Sequence, residues 1–399
     1  MKRSQILILY GCAILSAFAC SSQQPPKETV SVSLAPQAVS IGGEPVVKLA
    51  RPQAADQTRP QFLEAALIPG KGMNLLSVKA FVPGKGAVDV IASPSLQETK
   101  QLLDGDNPFG NKAFTIGGAI LVPYANRIRG KLSADGQTIE TTIGSKKVQL
   151  PANWQGKNPG AEKHSMHGLI LGSGFEDVKH QDGPQESTAS GTLHAGDFGG
   201  HWLSKTDLTV QTTLTNDGLE MSVTATDAGD QDLPMGIGWH PYFAFPSGDR
   251  KQARLKLPGQ SRGLIDNYDN VFPSGKVVST KGTPYDFSDP NGKALGDLFL
   301  DDCFLNLKRE PSGDAVIEIS DPAAKYGLRI RALSPEIKAI QVYAPVDKNF
   351  VAVEPQFNLA DPYKKEWGKT DTGMVLLKPG KSVTWRVRLE LFTPQAAAQ

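Results

Sequence analysis

Between residues 207 and 226, apolar and polar side chains alternate twice, once on each side of a turn. Leu208, Val210, Thr212 and Leu214 are spaced by two, Asn216-Asp217-Gly218 reverses the chain, and Leu219, Met221, Val223 and Ala225 alternate back. Period two sends successive side chains to opposite faces of an extended strand, and an Asp-Gly turn between two such runs specifies an antiparallel hairpin. The period returns in Val383, Trp385, Val387, Leu389 and Leu391, interleaved with Thr384, Arg386, Arg388 and Glu390. Shorter strand candidates cover residues 315–319, 328–333 and 339–343. Helical periodicity is confined to about two turns over residues 95–103. With Gly 40 and Pro 29 in 399 residues to make turns, and 39% hydrophobic residues to fill a core, the chain reads as all-β. The expected architecture is one large, mostly antiparallel β-sandwich with few short helices.

Residues 1–19 read as a secretion signal, with Lys2 and Arg3 ahead of an apolar run too short for an ordinary membrane span. The run ends Ala17-Phe18-Ala19-Cys20 and continues into a polar, proline-containing stretch. Cleavage before Cys20, which would carry lipid, is one expectation, and it makes the protein a membrane-anchored lipoprotein of the periplasm or cell envelope. A freely secreted protein cut at Ala-x-Ala is the other. The expected organisation is a signal peptide over 1–19, a lipidated Cys20 with a flexible tether over 20–40, and a folded domain over 41–395. Loss of Lys2 and Arg3 with the signal turns the net charge from +1 to −1. That balance excludes a nucleic-acid grip through overall positive charge. Cys12 leaves with the signal and Cys20 takes lipid, so Cys303 stands alone and no intramolecular disulfide or cysteine-based zinc site is expected.

The six histidines divide sharply. His164 and His167 form His-Ser-Met-His, a pair without a recognisable third metal ligand, so no metal is expected. His180, His194 and His201 lie in Gly-, Asp- and Ser-rich stretches and read as surface or loop residues. His240 sits in Met235-Gly236-Ile237-Gly238-Trp239-His240-Pro241-Tyr242-Phe243. Two readings are open for it: a satisfied imidazole in an aromatic corner, or a histidine held in a ligand cleft. Glu354, at the end of the apolar run Val351-Ala352-Val353, is either an outward surface carboxylate or one kept partly dry, whose pKa burial would raise toward general-base range. Asp301-Asp302 carries the same ambiguity. Asn126, Arg127 and Arg129 place amide and guanidinium donors close together, suited to sugar hydroxyls, carboxylates or phosphates.

Taken in order, these segments resemble the aldose 1-epimerase (galactose mutarotase) family. The matching stretches are Asn107-Pro108-Phe109-Gly110, residues 124–130, Met166-His167-Gly168, residues 239–243, residues 300–304, Gln341-Val342-Tyr343 and Val353-Glu354-Pro355-Gln356. The resemblance implies a large antiparallel β-sandwich with a monosaccharide cleft and no cofactor. It makes His240 the general acid and Glu354 the general base, which the fold must bring to opposite sides of one ring. It assigns Arg127, His167, Asp301 and Gln341 to substrate binding, with Asn126 and Trp239 added as neighbours. Residues 115–123 lack the usual Gly-Arg form, Leu169 follows Gly168 where a second Gly is common, and Ala344 follows Tyr343 in place of Thr. These departures lean toward the broader epimerase-like branch, which includes hexose-6-phosphate mutarotases. The expected activity is interconversion of the α and β anomers of a free hexose or pentose by ring opening and reclosure. The alternatives are a non-catalytic carbohydrate-binding lipoprotein on the same scaffold, and a hexose-6-phosphate mutarotase using Arg129 as a second basic anchor.

Overall fold

The computed structural model describes residues 39–394. The expected signal peptide, Cys20 and most of the expected tether therefore lie outside the described residues. Two large antiparallel sheets dominate. Seven strands form the first: β1 (Gly118–Leu121), β2 (Gly238–Ala244), β3 (Gly259–Ile265), β4 (Pro273–Ser279), β5 (Leu300–Leu307), β6 (Ala339–Ala344) and β7 (Phe350–Gln356). They hydrogen-bond in the spatial order β4-β3-β5-β6-β7-β2-β1. A second sheet has nine strands, and at its centre lie the hairpin Thr206–Leu214 and Leu219–Asp227 and the long strand Ser382–Phe392. The hairpin pairs in unbroken register from Thr206↔Asp227 to Leu214↔Leu219. Its alternating apolar residues are the buried ones: Leu208, Val210, Leu214, Leu219, Met221, Val223 and Ala225 are all at most 1% exposed. The fold is the expected all-β sandwich. The short helix, Leu96–Asp104, is held by a capping box in which Ser95 and Glu98 bond each other's backbone N–H.

The core joins the inner faces of the two sheets. Trp239 of β2 packs edge-on against Trp385 of the Ser382–Phe392 strand, with centroids 6.4 Å apart, and the Trp385 indole N–H donates to the Pro355 carbonyl of β7 at 3.0 Å. Val353, Val342 and Ile340 fill the same layer and are fully buried. The residues between them in sequence, His240, Glu354 and Gln341, must then leave the sheet on its other face. The opposite face of the nine-stranded sheet carries paired charges instead, including Arg386 with Glu220, Arg331 with Glu390 and Arg329 with Glu318.

β1 is an edge strand, and Trp239 closes part of that edge. Its indole N–H donates to the Gly118 carbonyl at 3.0 Å. A Cβ at position 118 would lie 2.5 Å from the Trp239 Nε1, so only glycine fits. Replacing Trp239 by Phe removes the donor and leaves the buried Gly118 carbonyl unpaired. The expected loss is about 1–3 kcal/mol in a urea titration, with the native near-ultraviolet signature retained.

Candidate active site

Register builds the site. Cys303 faces Gln341 between β5 and β6, and Gln341 faces Glu354 between β6 and β7. The pairs Gly238↔Gln356 and Tyr242↔Ala352 put His240 of β2 opposite Glu354. The result is one transverse row, Gln341–Glu354–His240, on the face turned away from the core. It forms part of a cleft of about 410 Å³. His240 Nε2 lies 3.4 Å from Glu354 Oε1, and the two side chains are 7% and 2% exposed. They are direct neighbours rather than groups facing each other across a ring-sized gap. Two oxygens carried on one carbon, as in a hemiacetal, lie close enough together for adjacent groups to reach both.

A closed circuit of hydrogen bonds adjoins the pair through Gln341, the neighbour of Glu354. Arg127 Nη1 donates to Asn126 Oδ1 at 2.9 Å, and Asn126 Nδ2 donates to Gln341 Oε1 at 3.1 Å. Gln341 Nε2 donates to Asp301 Oδ1 at 2.6 Å, and Arg127 Nη2 returns to Asp301 Oδ2 at 3.3 Å. Asn126 enters the circuit from a left-handed turn, with φ 62°, a conformation that Asn tolerates better than most residues. His167 also has positive φ, 61°, and its N–H donates to the Asn126 carbonyl at 2.9 Å. That bond ties the two turns together and brings the His167 ring edge-on to His240, with centroids 4.8 Å apart.

Seven of the eight residues that the resemblance assigns, Asn126, Arg127, His167, His240, Asp301, Gln341 and Glu354, line this one cleft. Trp239 does not, because it occupies the core face. Asp302 does not line it either. One residue beyond Asp301 on β5, it pairs with Arg262 and accepts from the Tyr268 hydroxyl at 3.1 Å. Arg129 is occupied elsewhere, with Glu162 at 2.9 Å and Asp266 at 3.4 Å and its guanidinium 4.0 Å above the Phe272 ring. His164 is fully buried outside the cleft, and burial lowers its pKa to about 4. No group of three or more potential metal ligands occurs among the described residues. His180 and His194 are exposed, as expected, but on strands rather than loops.

The aromatic walls were not read from the sequence. From His240 one arm runs through His167 to Phe114 (4.7 Å between centroids) and on to Trp154 (5.4 Å). The other runs through Tyr242 and Phe350 to Tyr343, then to Phe299 (6.2 Å) and Tyr268 (5.2 Å). The Tyr242 hydroxyl donates to the Phe114 carbonyl at 3.1 Å and so fixes one arm to the other. Tyr242 and Tyr343 sit inside motifs already singled out, next to His240 and Gln341. Phe114, Trp154, Phe299 and Tyr268 come from segments with no periodicity to mark them. Two larger hollows, about 700 and 770 Å³, share Gln260 and Arg309, and neither is lined by a histidine.

Burial governs the electrostatics. It holds the His240 pKa down to about 4, with the Arg127 charge adding to the effect. Burial, then the Asp301 charge, raises Glu354 well above the ordinary carboxylate range, against a smaller opposing pull from Arg127. His167 is depressed by burial and by His240. Asp301 is raised by burial, although Arg127 and Gln341 oppose the shift. His240 Nδ1, His167 Nδ1 and Glu354 Oε2 are buried without a hydrogen-bonding partner among the described residues. Unpartnered polar atoms cost stability unless something polar meets them. Together with the circuit, they give the cleft a set of donors and acceptors whose chemistry suits a hydroxyl-rich molecule.

The aldose 1-epimerase family description matches residues 78–390, and the chain belongs to that family. Solved structures share the fold. A galactose mutarotase-like protein from Clostridium acetobutylicum superposes with a TM-score of 0.66 at 20% identity, over 83% of this chain and 92% of that one. An aldose epimerase homologue from C. elegans gives 0.63 at 18% identity, over 88% and 99%. Galactose 1-epimerase from Lactobacillus acidophilus gives 0.59 at 17%, also over 88% and 99%.

A dry carboxyl is a burden on the folded state. The raised Glu354 pKa means that the folded protein binds this proton more tightly than the unfolded chain does. Above pH 4.5 the unfolded chain is free to ionise there, so stability drains away as pH rises toward and through the folded value. Glu354→Gln should therefore raise the unfolding free energy at pH 8 by about 1–2 kcal/mol. The gain should shrink toward pH 4.5 and vanish below it, where the carboxyl becomes protonated in both states. Thermal melts of the two proteins across that range check it.

Proposed function

We propose that the cleft interconverts the anomers of a free aldose by proton transfer through His240 and Glu354. The observation that carries this reading is the buried imidazole–carboxyl pair, 3.4 Å apart, in one cleft with a circuit of sugar-compatible donors and acceptors. In the one-proton state with the proton on the imidazole, Glu354 is the base and His240 the acid. Glu354 removes the proton from the anomeric hydroxyl O1, and the electron pair left on O1 becomes the second bond of a C1 carbonyl. The C1–O5 bond breaks, and His240 delivers its proton to O5. The open aldehyde turns about C1–C2. O5 then adds to the other face of the carbonyl, returning its proton to His240 while O1 recovers one from Glu354. Atoms and protons balance over the cycle.

Desolvation sharpens both reagents. A carboxylate with a raised pKa is a stronger base, and an imidazolium with a lowered pKa is a stronger acid. Arg127, Asn126, Gln341 and Asp301 are the groups assigned to holding the sugar hydroxyls, and His167 is assigned to the anomeric end beside His240. Arg127 is matched by Asp301, and Arg129 by Glu162 and Asp266, so neither guanidinium is free to take a phosphate. That favours unphosphorylated sugars. The leader supports export with Cys20 as anchor. Cys20→Ala should then move the protein from the membrane to the soluble fraction, and unchanged fractionation would refute the anchor.

Anomer exchange of glucose, galactose, xylose and arabinose, followed by polarimetry or NMR, tests the reading. His240→Asn and Glu354→Gln should each lower the rate by about 10²–10⁴-fold with the fold intact. Rates equal to buffer for the unaltered protein would sink it. The pH profile should have two limbs belonging to the pair as a unit. Activity falls toward acid near pH 4, where the pair gains a second proton. It falls again toward alkali as the proton held by the raised Glu354 is lost.

A further inference from the structure

The two aromatic arms do not end at the acid–base pair. They continue outward and meet at the cleft mouth. There Gly156, two residues past Trp154, packs so closely on Asp269, next to Tyr268, that a Cβ on it would lie 2.6 Å from the Asp269 carbonyl oxygen. The Asn158 N–H donates to Asp269 Oδ1 at 3.2 Å and completes the join. The mouth is thus framed by Trp154 and Tyr268, the latter 44% exposed, with Lys157 and Asp269 also lining the cleft. None of these groups is used by ring opening. By ring contacts Trp154 reaches the centre through Phe114, and Tyr268 through Phe299 and Tyr343, while the Tyr268 hydroxyl is held by Asp302 behind the cleft wall.

We propose that the mouth is a second saccharide subsite, so that the cleft takes the reducing end of a disaccharide or longer sugar with the next glycosyl unit between Trp154 and Tyr268. The proposal rests on the anomer-exchange reading only for which end points inward. Exchange requires a free O1, so whatever fills the mouth must hang from another hydroxyl of the inner sugar, as a glycosidic linkage does. Sugar C–H faces stack on aromatic rings, while the Lys157 and Asp269 side chains offer a donor and an acceptor to the flanking hydroxyls. A mouth carrying one charge of each sign selects against a phosphoryl group in the same position. The volume of about 410 Å³ falls in the range of sites that enclose ligands larger than one small ring.

Calorimetric titration of the purified protein with glucose, cellobiose, maltose and glucose 6-phosphate tests this independently of catalysis. At least one disaccharide should bind about tenfold more tightly than glucose, the worth of one good aromatic contact. Trp154→Ala should bring the disaccharide-to-glucose affinity ratio close to one. Phe299→Leu, a milder change in the other arm, should lower the same ratio. Disaccharides no tighter than glucose, a ratio unmoved by both variants, or tightest binding of glucose 6-phosphate would overturn the subsite. Absence of anomer exchange together with a clear disaccharide preference would refute the epimerase reading and leave the subsite standing.

Discussion

Alternation along a strand ties the chemistry of this protein to its core. In β2, β6 and β7 the residues that pack the sandwich and the residues that line the cleft are immediate sequence neighbours: Trp239 with His240, Ile340 with Gln341, Val353 with Glu354. Burying one set obliges the other to emerge on the far face. The cross-strand register then sets His240 beside Glu354 without any loop having to place them. A strand shifted by one residue would lose a core layer and the acid–base pair together.

The same burial that the proposed acid–base roles draw on makes the pair costly. An imidazole and a carboxyl at 7% and 2% exposure each lose their solvent shell, and three nearby nitrogen and oxygen atoms find no protein partner. The surrounding structure carries that cost through a core in which Trp239, Trp385, Phe243 and Phe357 are fully enclosed. Resting instability at the centre and tight packing beneath it are complementary parts of one arrangement.

Much of this was legible before any coordinates. The hairpin around Asn216-Asp217-Gly218 and the Val383–Leu391 alternation reported buried faces directly, and all three strands lie where the period puts them. The resemblance assigned Asp301 rather than Asp302 to the site, and strand parity supports that choice. Phe304 is apolar and shares its strand parity with Asp302, so Asp301 had to take the cleft face. The aromatic arms were not legible. Phe299 and Tyr268 stand in connecting segments, Phe114 in a 3-10 helix and Trp154 in a two-residue strand, all too short or irregular for a period to say which way a side chain points. Nor did sequence distance reveal that Arg127 and Asp301, 174 positions apart, close one circuit.

That circuit has an evolutionary side. Each of Arg127, Asn126, Gln341 and Asp301 holds two of the others, so no member can change alone without orphaning a neighbour's donor or acceptor. Losses at two members should overlap rather than add, because the first already breaks the loop. Drift at this site would therefore have to proceed by linked exchanges, and the four positions should behave across descendants as one heritable unit.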